Sequence, residues 1–369
     1  MAGGGGTIRC AIKAYRQRKR LSQDELAHLI GVRRQAVYDM ESGRYLPNTA
    51  VALRLARALD CTVEMLFIEE TPAEFGSIHL LSGTETTARL SLAQVREKLV
   101  GIPLHGACTV PFKLDASDGF LLADKTVDCH LPRAQLAKTL LVLGCDPALS
   151  VLSGLVSRIA PGIRAHTVFA SSRQALTSVN AGNAHVAGIH YHSFGPSEGN
   201  IDAVRSLSPG MDCLLIAFSV QEEGFMVASG NPLSIRTVED VANARTRFVN
   251  REEGAALKKL LDTQLSQRDI PSSEVKGYTE EVYSHSEGAM RVASGNADAA
   301  LGLRVVADAF GLDFVPLAVT RCDLVIPSDL RSHSGITVLL DVLQSSDIKK
   351  ELGSLPGYDP TNTGKMISG

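Results

Sequence analysis

A chain of 369 residues, 44% hydrophobic and 21% charged, is too long for one compact core and suits two or three globular domains. It has no tryptophan and only 5% aromatic residues, which excludes a broad stacking surface for single-stranded nucleic acid. The net charge of −3 is unevenly spread: residues 1–60 carry eleven Lys/Arg against five Asp/Glu, the remainder 26 against 35, so the N-terminal head alone points to a polyanionic partner.

Seven dispersed cysteines (Cys10, Cys61, Cys108, Cys129, Cys145, Cys213, Cys322), with no Cys-x-x-Cys pair, read as reduced thiols in a cytoplasmic protein. The opening Met-Ala-Gly-Gly-Gly-Gly reads as a flexible leader rather than a signal segment. No apolar run approaches the roughly 20 residues of a membrane span, so no membrane partner is expected.

Residues 1–70 are dense in helical pattern. Ile8, Ile12 and Tyr15 predict a first helix, and Ser22 with Glu25 forms a capping box opening a second through Ile30. Gly31 supplies a turn before a third helix from about Arg33 to Glu41. A fourth starts at Pro47 or Asn48, and Val63 to Phe67 form a short fifth. A linker begins at Thr71-Pro72, and residues 71–135 read as a connecting segment of short strands with one helix near Leu92–Leu99, without assigned function. From Lys138 strands and helices alternate: Leu140–Leu143, Pro147–Ile159, Ala165–Phe169, Arg173–Asn180, Val186–Ile189, then Phe248–Val249, Gly254–Leu265, Glu287–Ser294 and Ala299–Leu303. Leu214–Phe218 and Gly224–Ala228 are apolar runs able to carry the chain between two sheets. The predicted architecture is multidomain: an all-α helix-turn-helix head (1–70), then a bilobal α/β domain (136–369) with a cleft between its lobes.

In the third predicted helix Ala36, Val37 and Met40 face the core, leaving Arg33, Arg34, Gln35, Tyr38 and Asp39 outward. A helix fits the major groove of duplex DNA, where Arg and Gln bond base edges in pairs. The residues Ser22-Gln23-x-Glu25-Leu26-Ala27, Gly31-Val32 and Val37-Tyr38-x-Met40-Glu41-x-Gly43-Arg44-x-x-Pro47 resemble the Cro and phage-repressor class of helix-turn-helix domains over about residues 8–68. The resemblance implies double-stranded DNA as partner, Gln23 and Arg44 as phosphate contacts, Arg34 and Gln35 as base contacts, and a homodimer spanning two half-sites.

Ligands of parallel α/β sheets sit beyond strand C-termini, where helix N-termini attract anions. Four strand-to-helix turns fit: Gly144-Cys145-Asp146-Pro147, Phe169-Ala170-Ser171-Ser172, Val249-Asn250-Arg251, and Tyr283-Ser284-His285. The candidate ligand contacts are Asp146, Ser171, Ser172, His190, Asn250, Arg251, Ser284 and His285. Arg251 leads because guanidinium matches oxyanions bidentately, and Asp146 needs a cation such as Arg251 beside it. Ser171, Ser172, Asp146 and His285 are equally readable as helix caps. His190 and His192 flank Tyr191 but lack a third ligand, so no metal or cofactor is expected.

Gly144-Cys145-Asp146-Pro147, Asn180 to His190, Asn250-Arg251-x-x-Gly254, Gly277-Tyr278, Ser284-His285, Val292 to Ala299, Leu312 to Leu317 and Asp323 to Ile326 together resemble type II periplasmic-binding-protein domains, in the cytosolic branch fused to helix-turn-helix domains and associated with molybdenum metabolism. The resemblance implies a small anionic effector, molybdate, tungstate or a molybdenum-cofactor-related metabolite. Ala255, Ala256 and Leu257 depart from it, standing where such domains place Ser and Thr. The expected function is a ligand-responsive DNA-binding transcriptional regulator rather than an enzyme. The alternatives are an enzyme working in the cleft or a small-molecule-binding protein without regulatory DNA binding. No Walker loop, Gly-x-Ser-x-Gly elbow or His-Glu-x-x-His helix is present, and nothing in the local sequence supplies Cys145 with a base.

Overall fold

The computed structural model describes residues 7–70, 78–81, 87–104, 116–192, 199–243 and 245–367. The chain divides into two compact units, Met1–Glu74 and Phe75–Gly369.

The first unit runs β1 (Thr7–Cys10), α1 (Ile12–Arg18), α2 (Gln23–Ile30), α3 (Arg34–Glu41), α4 (Thr49–Leu59), α5 (Val63–Leu66) and β2 (Phe67–Glu70). Ser22 Oγ accepts from the Glu25 amide at 3.2 Å while the Glu25 carboxylate accepts from the Ser22 amide at 2.7 Å, closing the capping box. Gly31 ends α2 at φ +67°, a left-handed turn where an added Cβ would meet Arg54 at 3.1 Å. Leu26, Ile30, Val37, Met40, Leu55 and Leu59 form the core. The first helix begins later than its apolar spacing suggests, because Thr7–Cys10 pairs antiparallel with Phe67–Glu70, Thr7 opposite Glu70 and Cys10 opposite Phe67. That pairing joins the two ends of the unit, which local periodicity cannot register.

In the second unit, β3 (Ile78–Leu80), β4 (Ala88–Val95), β5 (Lys98–Pro103), β6 (Gly119–Leu121) and β7 (Val127–Cys129) form a five-stranded sheet in the order β3-β5-β4-β6-β7. The helix expected near Leu92–Leu99 is instead an antiparallel hairpin, Leu92 opposite Gly101 and Val95 opposite Lys98, turning at Arg96 with φ +53°. Both faces of β4 are covered: Leu90 and Leu92 pack with Leu99, Leu121 and Leu136, while Ala93 and Val95 join the core around Leu141, Leu143 and Val168. With apolar residues on both faces, the two-residue period is hidden. Residues of the expected connecting segment thus form part of the second unit's core. Arg164 clasps Asp118 at 2.6 and 2.8 Å, and Arg96 holds Asp329 at 2.7 and 3.0 Å.

After α6 (Arg133–Leu136) the chain builds β8 (Thr139–Gly144), α7 (Leu149–Ile159), β9 (Arg164–Phe169), α8 (Ser172–Asn180), β10 (Val186–Ile189) and α9 (Gly199–Leu207). A long strand, β11 (Cys213–Val227), leads to α10 (Val238–Ala242), β12 (Phe248–Arg251), α11 (Ala256–Ser266), β13 (Glu281–Val282), α12 (His285–Ala293), β14 (Ala299–Leu303) and α13 (Arg304–Ala309). A second long strand, β15 (Asp313–Pro327), returns to α14 (Ser334–Gln344), α15 (Ser346–Gly353) and β16 (Tyr358–Asp359). The sheet order is β13-β12-β14-β11-β15-β10-β8-β9, with β16 also on β11.

One lobe is built on parallel β8, β9 and β10, the other on parallel β12, β13 and β14, each with its own buried cores. The antiparallel pair β11 and β15 belongs to both lobes. The two apolar runs, Leu214–Phe218 and Gly224–Ala228, therefore lie on one strand and its end, joined through polar Ser219–Glu223 and bent where the register shifts at Ala217/Ser219 and Glu223/Gly224.

Candidate ligand cleft and nucleic-acid face

In the first unit Arg33 is the N-cap of α3, and Arg33, Arg34, Gln35 and Tyr38 are all exposed. Gln35 Nε2 donates to Asp39 Oδ1 at 3.0 Å, Arg34 lies 3.7 Å from Asp24, and the Arg44 guanidinium sits 5.7 Å from the Tyr38 ring centre. Gln23, at the start of α2, donates to Glu41 Oε2 at 2.9 Å, and Glu41 also takes Arg16 at 2.6 and 3.1 Å. Glu41 thereby ties α1, α2 and α3 together beneath the exposed face. Burial works against its charge, yet the bonds from Arg16 and Gln23 hold its carboxyl below the ordinary carboxylate range.

In the second unit all four expected turns meet at the strand C-termini. Cys145 and Asp146 follow β8, Ser171 and Ser172 follow β9, His190 and His192 follow β10, Asn250 and Arg251 end β12, and Ser284 and His285 open α12. Ser171 caps α8 and Ser284 caps α12, each accepting the amide three residues on. The Ser172 hydroxyl takes the His190 amide at 3.1 Å and donates to its carbonyl at 3.3 Å, locking the end of β10. Asn250 Nδ2 donates to the Tyr278 carbonyl at 3.1 Å.

Arg251 is 2% exposed. It forms a fork with neighbouring Glu252 at 2.9 and 3.0 Å, approaches His285 Nδ1 at 3.1 Å, and lies over Phe169 of the opposite lobe. Burial, then Arg251 and His190, push the His285 imidazole well below its ordinary value, so it stands neutral. Among the described residues, Asp146 pairs with no arginine. Tyr358 donates to it at 2.5 Å, Ser219 at 3.1 Å and the Ala148 amide at 2.8 Å, while burial raises its pKa.

Sequence spacing missed the base beside Cys145. Its sulfur lies 3.4 Å from His190 Nδ1, and His190 Nε2 lies 3.3 Å from Glu223 Oε1. Burial lowers the His190 pKa, but Cys145, Glu223 and Asp146 outweigh it and push it up to about 9, so the ring carries a proton at neutral pH. Glu223 is fully buried and also meets His192 at 2.9 Å and Thr320 at 3.1 Å; burial opposes its charge, and the two histidines and Thr320 hold its pKa low. Glu223, with Ser219 and Gln221, comes from the polar middle of β11. Ser219, Gln221 and Glu223 at a two-residue spacing, with Glu222 on the other face, between two apolar runs were a readable signal for a polar patch. Among the described residues, no group of three or more His, Cys, Asp or Glu is placed to hold a metal.

A cleft of about 660 Å³ opens at His192, lined by Arg173, Tyr191 and His192 of one lobe and Gly254, Ala255 and Lys258 of the other. The PBP superfamily domain matches residues 154–344, from within α7 to the end of α14, a stretch that takes in both long strands β11 and β15. The chain belongs to the PBP superfamily. Ahead of the PBP domain, the helix-turn-helix family matches residues 12–66, so a Cro/C1-type helix-turn-helix domain is fused to it.

The uncharacterized protein YvgK of Bacillus subtilis is 30% identical over 199 residues, 54% of this chain. The matched stretch spans 64% of that relative's own length. An uncharacterized HTH-type transcriptional regulator of Archaeoglobus fulgidus is 36% identical over 61 residues, 16% of this chain and 86% of its own. A putative phosphate ABC transporter substrate-binding protein from Clostridium perfringens, solved with bound phosphate, superposes with TM-score 0.46 at 10% identity over 58% of this chain and 96% of its own.

Proposed function

We propose that the protein is a cytoplasmic, homodimeric transcriptional regulator that binds duplex DNA through α3 and a small anionic effector between the lobes of its PBP domain. The observation that carries this reading is the exposed Arg33-Arg34-Gln35 face at the start of α3, in the same chain as a bilobal domain that holds buried Arg251 at the end of β12. Arg33, Arg34 and Gln35 are the base-reading set, with Tyr38, Arg44 and Gln23 on the backbone. Effector binding favours the closed arrangement of the lobes, and only the difference in its affinity for open and closed states shifts that equilibrium and, through it, operator affinity.

Arg251, His190 and the N-termini of α8 and α12 support an anionic effector; within that class stand molybdate, tungstate and molybdenum-cofactor-related metabolites. Selection of bound sequences from random duplex DNA, followed by mobility shifts with and without effector, tests the reading. An operator whose affinity changes on adding effector supports it, and indifference to every duplex at low salt sinks it.

A second reading, catalysis, is favoured by one arrangement: Cys145 beside His190, with Glu223 on the far side of the ring, has the geometry of a thiol nucleophile, an imidazolium that carries its proton and an orienting carboxylate. Turnover of a bound metabolite, lost in Cys145→Ser, would establish it; stoichiometric retention would rule it out.

A further inference from the structure

The β11 segment between the register shifts holds a buried group that no atom of the described residues satisfies. Gln221 is 1% exposed, and among the described residues neither its amide nitrogen nor its amide oxygen has a hydrogen-bond partner. Glu223 Oε1 also accepts no hydrogen bond, its 3.3 Å approach to His190 being a charge contact without hydrogen-bond alignment. Gln221 lies directly opposite Thr320 on β15, and paired residues share a face of the sheet. Thr320 reaches His192 at 3.1 Å and Glu223 at 3.1 Å, and His192 lines the cleft. The orphaned amide therefore lies on the sheet face that leads, through Thr320, to His192 on the cleft wall.

A buried primary amide with both ends unmade is costly, and most such groups in folded proteins find a partner. The three orphaned atoms are one N–H donor beside two acceptors, one of them a carboxylate. A bare tetrahedral oxyanion presents acceptors; it satisfies the Gln221 nitrogen and leaves Gln221 Oε1 and Glu223 facing like charge. The fork between Arg251 and Glu252 already neutralises the cation such an oxyanion would seek. A ligand edge offering an N–H next to a C=O satisfies both ends of the Gln221 amide at once. A cleft of about 660 Å³ matches the size of organic metabolite sites.

We propose that the polar set of Gln221 and Glu223 recognises the lactam or amide edge of an organic acid, whose carboxylate lies toward Arg173 on the cleft wall. This rests on the effector reading above and narrows its ligand class from a simple oxyanion to a bifunctional organic anion.

Thermal melting of the full chain, parent and Gln221→Leu, against orotate, 6-hydroxynicotinate, benzoate and molybdate tests it. Leucine removes the unmade bonds at similar volume, so the ligand-free variant is expected to melt about 2 °C higher than the parent. Orotate or 6-hydroxynicotinate, which carry both acid and lactam edge, should raise the parent's melting temperature, and Gln221→Leu should abolish that rise. Benzoate, which has no such edge, should do nothing. The proposal is overturned if the variant melts below the parent, if molybdate alone stabilises and does so equally in both proteins, or if neither lactam acid stabilises the parent. Mobility shifts on the same preparations report DNA binding separately, so loss of the regulator reading is distinguishable from loss of this one.

Discussion

The guanidinium carbon of Arg251 lies 5.8 Å from the centre of the Phe169 ring, a contact from the end of β12 in one lobe to the end of β9 in the other. His285 meets the same ring edge-on at 6.4 Å. A cation over an aromatic face, shielded from water, is worth about 0.5–2 kcal/mol and exists only while the lobes are together.

Phe169→Leu keeps the bulk and removes the ring. Effector affinity should fall about tenfold, equivalent to roughly 1.4 kcal/mol, with DNA affinity in the absence of effector unchanged. Arg251→Ala should abolish the effector response altogether. Calorimetry alongside mobility shifts reads both, and wild-type effector affinity in Phe169→Leu would show that the contact contributes nothing to closure.

Arg34→Ala should weaken operator binding by about 1–3 kcal/mol and relax preference at one base position, leaving effector affinity intact. Arg44→Ala should instead weaken binding to all sequences alike and reduce the salt slope by about one. Equal loss of sequence preference in the two variants would refute the division of roles.

Melting temperature should peak near pH 6.5 and fall on both sides. His190 has its folded pKa raised to about 9 from an ordinary 6.5, so its stabilisation is complete below pH 6.5 and disappears as pH rises through 9. His185 runs the other way: burial, then His333, lower it to about 3, so its contribution is present above pH 6.5 and is lost on acidification. The PBP domain should therefore lose stability on both sides, and His190→Gln should remove the alkaline fall alone. A melting curve of unchanged alkaline slope in that variant would exclude the charged His190–Glu223 pair.

The side chains of Arg16 and Glu41 are 11% and 4% exposed, and truncating one partner of a buried pair leaves the other uncompensated. Glu41→Ala should destabilise the helix-turn-helix unit by about 3 kcal/mol and abolish DNA binding while effector binding persists. Parallel loss of effector binding would show that the two units unfold as one.

The sequence alone determined the helical head, its capping box, its glycine turn and the outward Arg33-Arg34-Gln35 set, because helix periodicity, caps and a left-handed turn are properties of neighbouring residues. It also determined the alternation of strands and helices after Lys138, and that Asp146, His190, Arg251 and His285 stand at strand-to-helix turns. Tertiary structure decided what those residues touch. That Asp146 is held by Tyr358, 212 positions away, that Cys145 has His190 for a neighbour, and that Arg251 is matched by Glu252 and Phe169 follow from sheet order and lobe packing. The hairpin of β4 and β5 escaped local reading because strands covered on both faces lose the alternation that marks a half-buried strand, whereas β11 kept a two-residue polar spacing and only its partners, chosen by chain segments far away in sequence, were hidden.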